Sequence, residues 1–129
     1  MIAALDRIEV VTLFVANAAA SKAFYTRVFG LEVVYEDEVS AVLAMGGPML
    51  NLLQSAQAPE LVAPAAVATA ARGAALIFTI RVEDADAVCA ELAAHGVDLL
   101  NGPVDRPWGR RTAAFADPDG HVWEVAQAL

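Results

Sequence analysis

Short apolar segments with many β-branched residues alternate along the chain with two segments of helical periodicity. Residues 8–15 and 76–82 are rich in Val, Ile and Phe and predict strands. Each is followed by a helical segment, the first over residues 18–29 and the second between Asp84 and Gly96. The chain therefore begins each half with a strand and then a helix.

Capping residues and apolar stripes define the two helices. Asn17 is a plausible N-cap of the first helix, and Gly30 ends it. Its expected buried stripe is Ala20, Phe24 and Val28. Asp84 is the N-cap of the second helix, and His95 and Gly96 close it. The expected buried stripe of the second helix is Ala85, Val88, Cys89 and Leu92.

Further strands follow each helix. Three short strands are predicted after the first helix, at roughly residues 31–36, 40–45 and 49–54. Near the C-terminus, residues 111–116 and 121–126 predict two strands joined by the turn Asp117-Pro118-Asp119-Gly120. This turn lacks the remainder of a calcium-binding loop, so we assign it no ion.

The order of elements repeats, which predicts one domain over residues 1–129 built from two modules. Gly30-Leu31-Glu32-Val33-Val34 matches Gly96-Val97-Asp98-Leu99-Leu100, and residues 49–54 match residues 122–127. Module one covers about residues 5–54 and module two about residues 75–127. Residues 55–74 are rich in Ala and Pro and predict a linker, with a short helical turn between Pro64 and Gly73.

Composition limits the classes of partner. Eight Lys and Arg residues against 16 Asp and Glu residues give a net charge of −8, which opposes nucleic-acid binding and favours a cationic ligand. No apolar run is long enough to span a membrane. The first residues do not resemble a signal peptide, and the single cysteine, Cys89, fits a reducing compartment, so we expect a cytoplasmic protein.

One acidic residue interrupts an apolar strand near the C-terminus. Glu124 lies between Trp123 and Val125 in the last predicted strand. Burying a charge is unfavourable by several kcal/mol unless the charge is paired or used, so this carboxylate is a candidate functional group.

The repeat and its motifs resemble the vicinal oxygen chelate superfamily, which includes glyoxalase I, bleomycin-resistance proteins and extradiol dioxygenases. The residues that carry the resemblance lie in segments 23–31, 82–86, 95–97 and 115–121, together with Glu124. The resemblance covers nearly the whole chain. It implies an α+β fold in which two βαβββ modules form a curved mixed sheet around a cavity, and it implies a homodimer.

The same resemblance identifies the positions that hold a metal ion in such proteins. Matched residue by residue, they are Val10, Asn51, Ile77 and Glu124. Val10 and Ile77 carry no donor atom, so one strong ligand, Glu124, remains. We therefore expect no metal and no other cofactor, as in the metal-free, ligand-sequestering proteins of the superfamily.

Strand alternation then assigns side chains to the cavity. The predicted ligand-binding residues are Thr12, Phe14, Asn51, Thr79, Arg81, Trp108, Arg110 and Glu124. Two structural alternatives stand beside this assignment: Arg81 and Glu124 form an ion pair, and Trp108 covers the end of a hairpin.

The sequence thus predicts a protein that binds a small organic molecule in the cavity without a metal. The alternative is an enzyme, a glyoxalase-like lyase or isomerase or an extradiol-type dioxygenase, in which Glu124 is the metal ligand or the general base. The expected partners are a small-molecule ligand and a second copy of the chain, with no nucleic acid and no membrane.

Overall fold

The computed structural model describes all 129 residues, which form eight strands and three α-helices with short 3₁₀ turns. The strands are β1 (Val10–Val15), β2 (Val33–Glu36), β3 (Ser40–Leu43), β4 (Met49–Gln54), β5 (Ile77–Arg81), β6 (Leu99–Arg106), β7 (Arg110–Ala116) and β8 (Val122–Ala128). The helices are α1 (Ala18–Val28), α2 (Pro59–Val62) and α3 (Ala85–Ala94). No helix is long and apolar enough to cross a membrane.

Hydrogen bonds join the strands into two four-stranded mixed sheets of the same topology. The first has the order β1-β4-β3-β2 and the second the order β5-β8-β7-β6. In each sheet the first strand of the module runs parallel to the last, and the other neighbours are antiparallel. The predicted α+β class with two βαβββ modules is therefore confirmed.

The chain divides into two compact units, Met1–Thr69 and Ala70–Leu129. The division falls inside the predicted linker, residues 55–74. That segment contains a 3₁₀ turn at Ser55–Gln57, the short helix α2 and a second 3₁₀ turn at Ala70–Arg72. The exact ends of the two modules stay a prediction.

Each long helix begins with the same pair of side-chain caps. Asn17 accepts a hydrogen bond from the backbone N–H of Ala20 (3.0 Å), and Asp84 accepts one from Ala87 (3.0 Å). A glutamine at the matching position of the last strand caps the first helical residue. Gln54 Oε1 accepts from the N–H of Ala18 (2.6 Å), and Gln127 Oε1 accepts from that of Ala85 (2.8 Å). Two otherwise unpaired donors of each helix are thereby satisfied.

The core lies between each helix and one face of its sheet. Leu13 and Val15 of β1 are buried on that face, as are Leu50 and Leu52 of β4, while Thr12 and Asn51 on the opposite face remain half-buried. The second sheet follows the same alternation: Trp123 and Val125 of β8 are buried on its helix face. The aromatic part of the first core includes Phe24 and Tyr25, whose rings pack edge to face at 5.2 Å.

Three details of the predicted elements are wrong. In α1, Ala20 is exposed, and the buried side chains are Ala18, Ser21, Phe24 and Tyr25. The buried positions 18, 21 and 25 follow intervals of three and four residues, so the buried stripe starts at Ala18 and not at Ala20. The stripe predicted for α3 is confirmed, with Val88 half-buried. Strands β2 and β3 are also shorter than predicted: β2 begins at Val33, and β3 ends at Leu43, before a turn with a hydrogen bond from the N–H of Gly47 to the carbonyl oxygen of Met45.

Candidate functional site

Each sheet has an open face, defined here as the face turned away from the helix of its module. In the second sheet the helix face is identified by Gln127, which caps α3, and by Arg111, which contacts Asp86 of α3 at 3.0 Å. Side chains alternate between the two faces along β8. Glu124 lies three residues before Gln127 and therefore points to the open face. The strand register places Thr79 and Ala114 on either side of Glu124, so all three side chains share that face.

Thr79 and Glu124 form a cross-strand hydrogen bond. The Thr79 hydroxyl donates to Glu124 Oε1 at 2.9 Å. The second carboxylate oxygen of Glu124 has no partner within the chain, and the side chain is half-buried. The bond fixes the carboxylate in one orientation and leaves one oxygen available to a ligand.

The alternative ion pair between Arg81 and Glu124 is wrong. The register pairs Arg81 with Ala126 and pairs Glu124 with Thr79, whose hydroxyl takes the carboxylate oxygen. Arg81 is exposed and makes no hydrogen bond or ion pair. Its guanidinium is therefore a free cation on the open face. Arg81 lies two residues along β5 from Thr79, which pairs with Glu124.

The first sheet carries a neutral pair at the equivalent place. Asn51 Nδ2 donates to the Thr12 hydroxyl at 3.3 Å, and the register pairs these residues directly. Asn51 Oδ1 is buried and has no hydrogen-bond partner. Exchanging the amide nitrogen and oxygen would give Oδ1 a donor but leave the nitrogen unpaired, so one polar atom of Asn51 lacks a partner in either orientation. Phe14 is half-buried on the same face.

The hairpin between β6 and β7 adds residues that the sequence analysis missed. Arg106 Nε donates to the Thr112 hydroxyl at 2.9 Å, and its Nη2 donates to Asn101 Oδ1 at 3.1 Å. The Arg106 guanidinium carbon lies 6.0 Å from the ring centroid of Trp108, which is the range of a cation–π contact. Trp108 is 67% exposed at the turn. Both roles of Trp108, binding the ligand and covering the hairpin end, stay predictions.

A sequence signal for Arg106 existed. Arg106 and Arg110 flank the three residues Pro107-Trp108-Gly109, which is the spacing of a short hairpin loop. Strand β7 begins at Arg110, one residue earlier than predicted. With that start, the two arginines lie opposite each other, as the register shows. Arg110 is half-buried and makes no hydrogen bond or ion pair.

The structure thus brings four predicted residues together on the open face of the second sheet and three on that of the first. The second-sheet residues are Thr79, Arg81, Arg110 and Glu124, and the first-sheet residues are Thr12, Phe14 and Asn51. Trp108 lies at the hairpin turn beside the second group. Each group occupies its own sheet.

The residues at the metal positions implied by the resemblance do not fit a transition-metal ion. Val10 and Ile77 offer no donor, Asn51 offers one amide oxygen, and Glu124 already accepts a hydrogen bond. Zinc and its neighbours in proteins require several imidazole, thiolate or carboxylate ligands. We derive no chemistry through a metal at these positions.

A second set of possible ligands, Asp117, Asp119 and His121, has donor atoms within 4.8 Å of one another. These groups organise the turn. Asp117 Oδ1 accepts from the backbone N–H groups of Asp119 (2.9 Å) and His121 (2.8 Å), while Oδ2 lies 2.7 Å from His121 Nδ1. The hydrogen bond with Asp117 raises the pKa of His121 above its ordinary value, against the opposing effect of burial.

One concavity of the first module lies away from the open sheet faces. It has a volume of about 210 Å³ and is bounded by the first turns of α1 and by residues 36–41, with the Lys22–Glu36 ion pair (2.7 Å) among its lining residues. Ligand pockets usually have volumes of about 300–1,000 Å³. The concavity contains no predicted site residue, and we base the site on the open sheet faces because the unpaired polar groups lie there.

Comparison with known proteins places the chain in a family. Residues 7–125 match the model of the Glyoxalase/Bleomycin resistance protein/Dioxygenase superfamily. A glyoxalase/bleomycin resistance protein/dioxygenase from Nocardioides has a TM-score of 0.85 and 25% identity, with 95% of this chain and 83% of that chain covered. A glyoxalase-related enzyme from Fulvimarina pelagi has a TM-score of 0.80 and 27% identity, covering 95% and 88%.

A third structure, lactoylglutathione lyase from Agrobacterium tumefaciens, has a TM-score of 0.76 at 23% identity, covering 95% of this chain and 93% of that chain, and shows likeness of fold. The family model covers most of the chain, and the repeated βαβββ topology agrees with it. The chain belongs to the Glyoxalase/Bleomycin resistance protein/Dioxygenase superfamily.

Proposed function

We propose that this chain binds a small organic molecule on the open face of the second sheet, and that it does so without a transition metal. The observation that carries the proposal is the state of Glu124 and Arg81. Glu124 is held by Thr79 through one oxygen only, and Arg81 on the same face has no partner. Polar groups of opposite charge that do not pair with each other can bind two different parts of one ligand.

The test is a binding screen with a charge-neutral variant. Thermal shift over small organic anions, cations and neutral compounds identifies ligands, because a ligand at 100 times its Kd adds about 2.7 kcal/mol of stability. Glu124→Gln keeps the acceptor for Thr79 and removes the charge. We expect it to weaken binding about tenfold or more where the ligand donates to Glu124.

The matched control is Glu91→Gln, which alters an exposed carboxylate on α3 of the same module. It should leave affinity unchanged. The proposal fails if no compound in the screen stabilises the protein, or if the two variants bind every identified ligand equally well.

A second candidate function is a metal-independent lyase or isomerase in which Glu124 is the general base. It is favoured by the free carboxylate oxygen of Glu124 and the fixed orientation given by the Thr79 hydroxyl. Glu124→Gln would then abolish turnover and leave ligand affinity nearly intact. A variant that loses affinity and turnover in equal proportion contradicts the base role.

Metal dependence is the property that separates these functions from a dioxygenase. We expect elemental analysis of the purified protein to find no stoichiometric zinc, nickel, iron or manganese, because two of the four matched positions are Val10 and Ile77. A stoichiometric metal that is lost in Glu124→Gln would contradict the metal-free proposal and favour the dioxygenase or glyoxalase alternative.

We also propose that the protein is a homodimer. Apolar residues lie exposed on strands whose faces a partner could cover: Val10 is 41% exposed and Ile77 49%. Analytical ultracentrifugation measures the assembly directly. A stable monomer at micromolar concentration would exclude the dimer without affecting the ligand proposal.

A further inference from the structure

Basic residues are concentrated on the open face of the second sheet, although the whole chain is acidic. The chain has 8 Lys and Arg residues and a net charge of −8. Arg81, Arg106 and Arg110 all lie on this face, because their register partners alternate with the positions that contact α3. We call these three residues the arginine cluster. Glu124 is the one acidic side chain that the strand register places on the same face.

No carboxylate of the chain neutralises the arginine cluster. Arg81 and Arg110 have no polar partner, and Arg106 donates to the neutral acceptors of Thr112 and Asn101. The neighbouring Arg111 shows the contrast: on the helix face it contacts Asp105 at 2.7 Å and Asp86 at 3.0 Å. The arginine on the helix face is therefore paired with carboxylates, whereas the three arginines on the open face have no carboxylate partner.

The two hairpin arginines are direct cross-strand neighbours. The register pairs Arg106 with Arg110. Like charges opposite each other on neighbouring strands are destabilising. No carboxylate of the chain pairs with either arginine, so an anion near the two guanidinium groups would be attracted to both.

Arg106 is held in a fixed position before any ligand arrives. Its hydrogen bond goes to Thr112, which is 1% exposed, and a second bond goes to Asn101. Two of the five guanidinium N–H donors are used in this way, and the remaining three are available. A guanidinium that is already ordered loses less entropy when it binds an oxyanion.

From these contacts we propose that the arginine cluster is an oxyanion subsite, so that the ligand carries a carboxylate or phosphate group. Trp108, which packs near Arg106, offers an exposed ring for an apolar or aromatic part of the ligand. The inference rests on the proposed function, since it names the chemical class of ligand that the same sheet face takes. It reverses the expectation of a cationic ligand that net charge alone gives.

Four probes of similar size test the charge of the ligand: benzoate, phenyl phosphate, benzamide and benzylammonium. We expect benzoate or phenyl phosphate at millimolar concentration to raise the melting temperature, with benzamide and benzylammonium giving no shift. The stronger of the two anions identifies the preferred oxyanion. The shift should shrink as salt is added, because exposed charge pairs are screened.

Arg110→Gln and Arg81→Gln test the residues. Each should raise the Kd of the bound anion about tenfold, as expected for the loss of a charge-assisted hydrogen bond. The matched control is Arg72→Gln, an exposed arginine in the 3₁₀ turn of the same unit, which should leave the Kd unchanged. Arg106→Gln is avoided as the main test because it also removes the bonds to Thr112 and Asn101.

Different results would contradict the oxyanion subsite and the ligand-binding function. If benzylammonium or benzamide binds as tightly as both anions in a manner that depends on Glu124, the oxyanion subsite is wrong and the ligand-binding function stands. If an anion binds equally well to the wild type and to Arg81→Gln and Arg110→Gln, the subsite is wrong. If none of the four probes shifts the melting temperature, the oxyanion subsite is wrong, and the broader thermal-shift screen decides the ligand-binding function.

Discussion

The two modules share one frame and differ at one cross-strand pair. In both, a glutamine of the last strand and an Asn or Asp before the helix cap the helix N-terminus. On the open faces, Thr12 contacts Asn51 in the first sheet, whereas Thr79 contacts Glu124 in the second. The caps stabilise the helix N-terminus in both modules. On the open face the helix caps impose no constraint, and there the second module has the charged Glu124 where the first has the neutral Asn51.

The two modules also differ in the hairpin that follows the helix. The β6–β7 hairpin of the second module spans residues 99–116 and carries Arg106, Trp108 and Arg110. The corresponding β2–β3 hairpin has strands of four residues each and is closed by Asp37, which accepts from the N–H groups of Val39 and Ser40 at 2.9 Å. The longer strands place cationic groups over their own sheet, which the short hairpin cannot do.

The largest expected effect comes from Gly102 in β6, where the neighbouring strand leaves no room for a side chain. Gly102 has φ +86°, and a Cβ there would overlap the carbonyl oxygen of Thr112 in the neighbouring strand. Gly102→Ala should therefore lower the free energy of unfolding by about 2–4 kcal/mol, measured by urea denaturation. The control is Gly46→Ala in the first module, where a Cβ meets open space. Equal stability of the two variants would show that the strand tolerates a side chain at 102.

The shared frame predicts equal effects in the two modules. Gln54→Ala and Gln127→Ala each remove the acceptor of a buried helix N–H, and each should lower the free energy of unfolding by about 1–2 kcal/mol. Gln57→Ala, in the 3₁₀ turn after β4, makes no such bond and serves as control. A large effect in one module and none in the other would contradict the equivalence of the caps.

The open-face pairs should respond differently to the same substitution. Thr12→Val leaves Asn51, which already has one unpaired buried atom, without its remaining partner, and should reduce the free energy of unfolding by about 1 kcal/mol. Thr79→Val should reduce it by about 0.5 kcal/mol, because water can replace the hydroxyl at the exposed Glu124 oxygen. Thermal denaturation of both variants decides the order, and a larger loss for Thr79→Val would reverse our view of which pair is structural.

The smallest expected effect is a pH dependence near neutrality that comes from His121 of the second module. The hydrogen bond with Asp117 raises the pKa of His121 in the folded protein above 6.5. Its contribution is therefore complete below about pH 6.5 and is lost as the pH rises through the higher folded pKa. His121→Gln should remove this decline in stability between neutral and alkaline pH, whereas His95→Gln should keep it. An identical pH profile in His121→Gln and wild type would contradict the assignment.

Much of the fold could be predicted because its signals are local. Asn17 and Asp84 precede apolar periodic segments, and period-two alternation in β1, β5 and β8 separates Leu13, Ile80 and Val125 from the open face. The repeated order of elements then predicted the two modules. The stripe of α1 was misplaced at Ala20, because the helix is rich in alanine and which of these small residues face the sheet is decided by packing.

The sequence by itself determined the family, the two modules, the helix caps Asn17 and Asp84, and the absence of donor atoms at Val10 and Ile77. Those properties depend on residue type, on spacing within one element or on a repeated order of elements. Only the tertiary structure decided that Glu124 contacts Thr79 and leaves Arg81 unpaired, and that Arg106 joins Thr112 and Asn101 beside Arg110. Strand pairing determines which partners a long side chain can contact. The register of that pairing is fixed by the packed core and by irregularities such as that at Gly102.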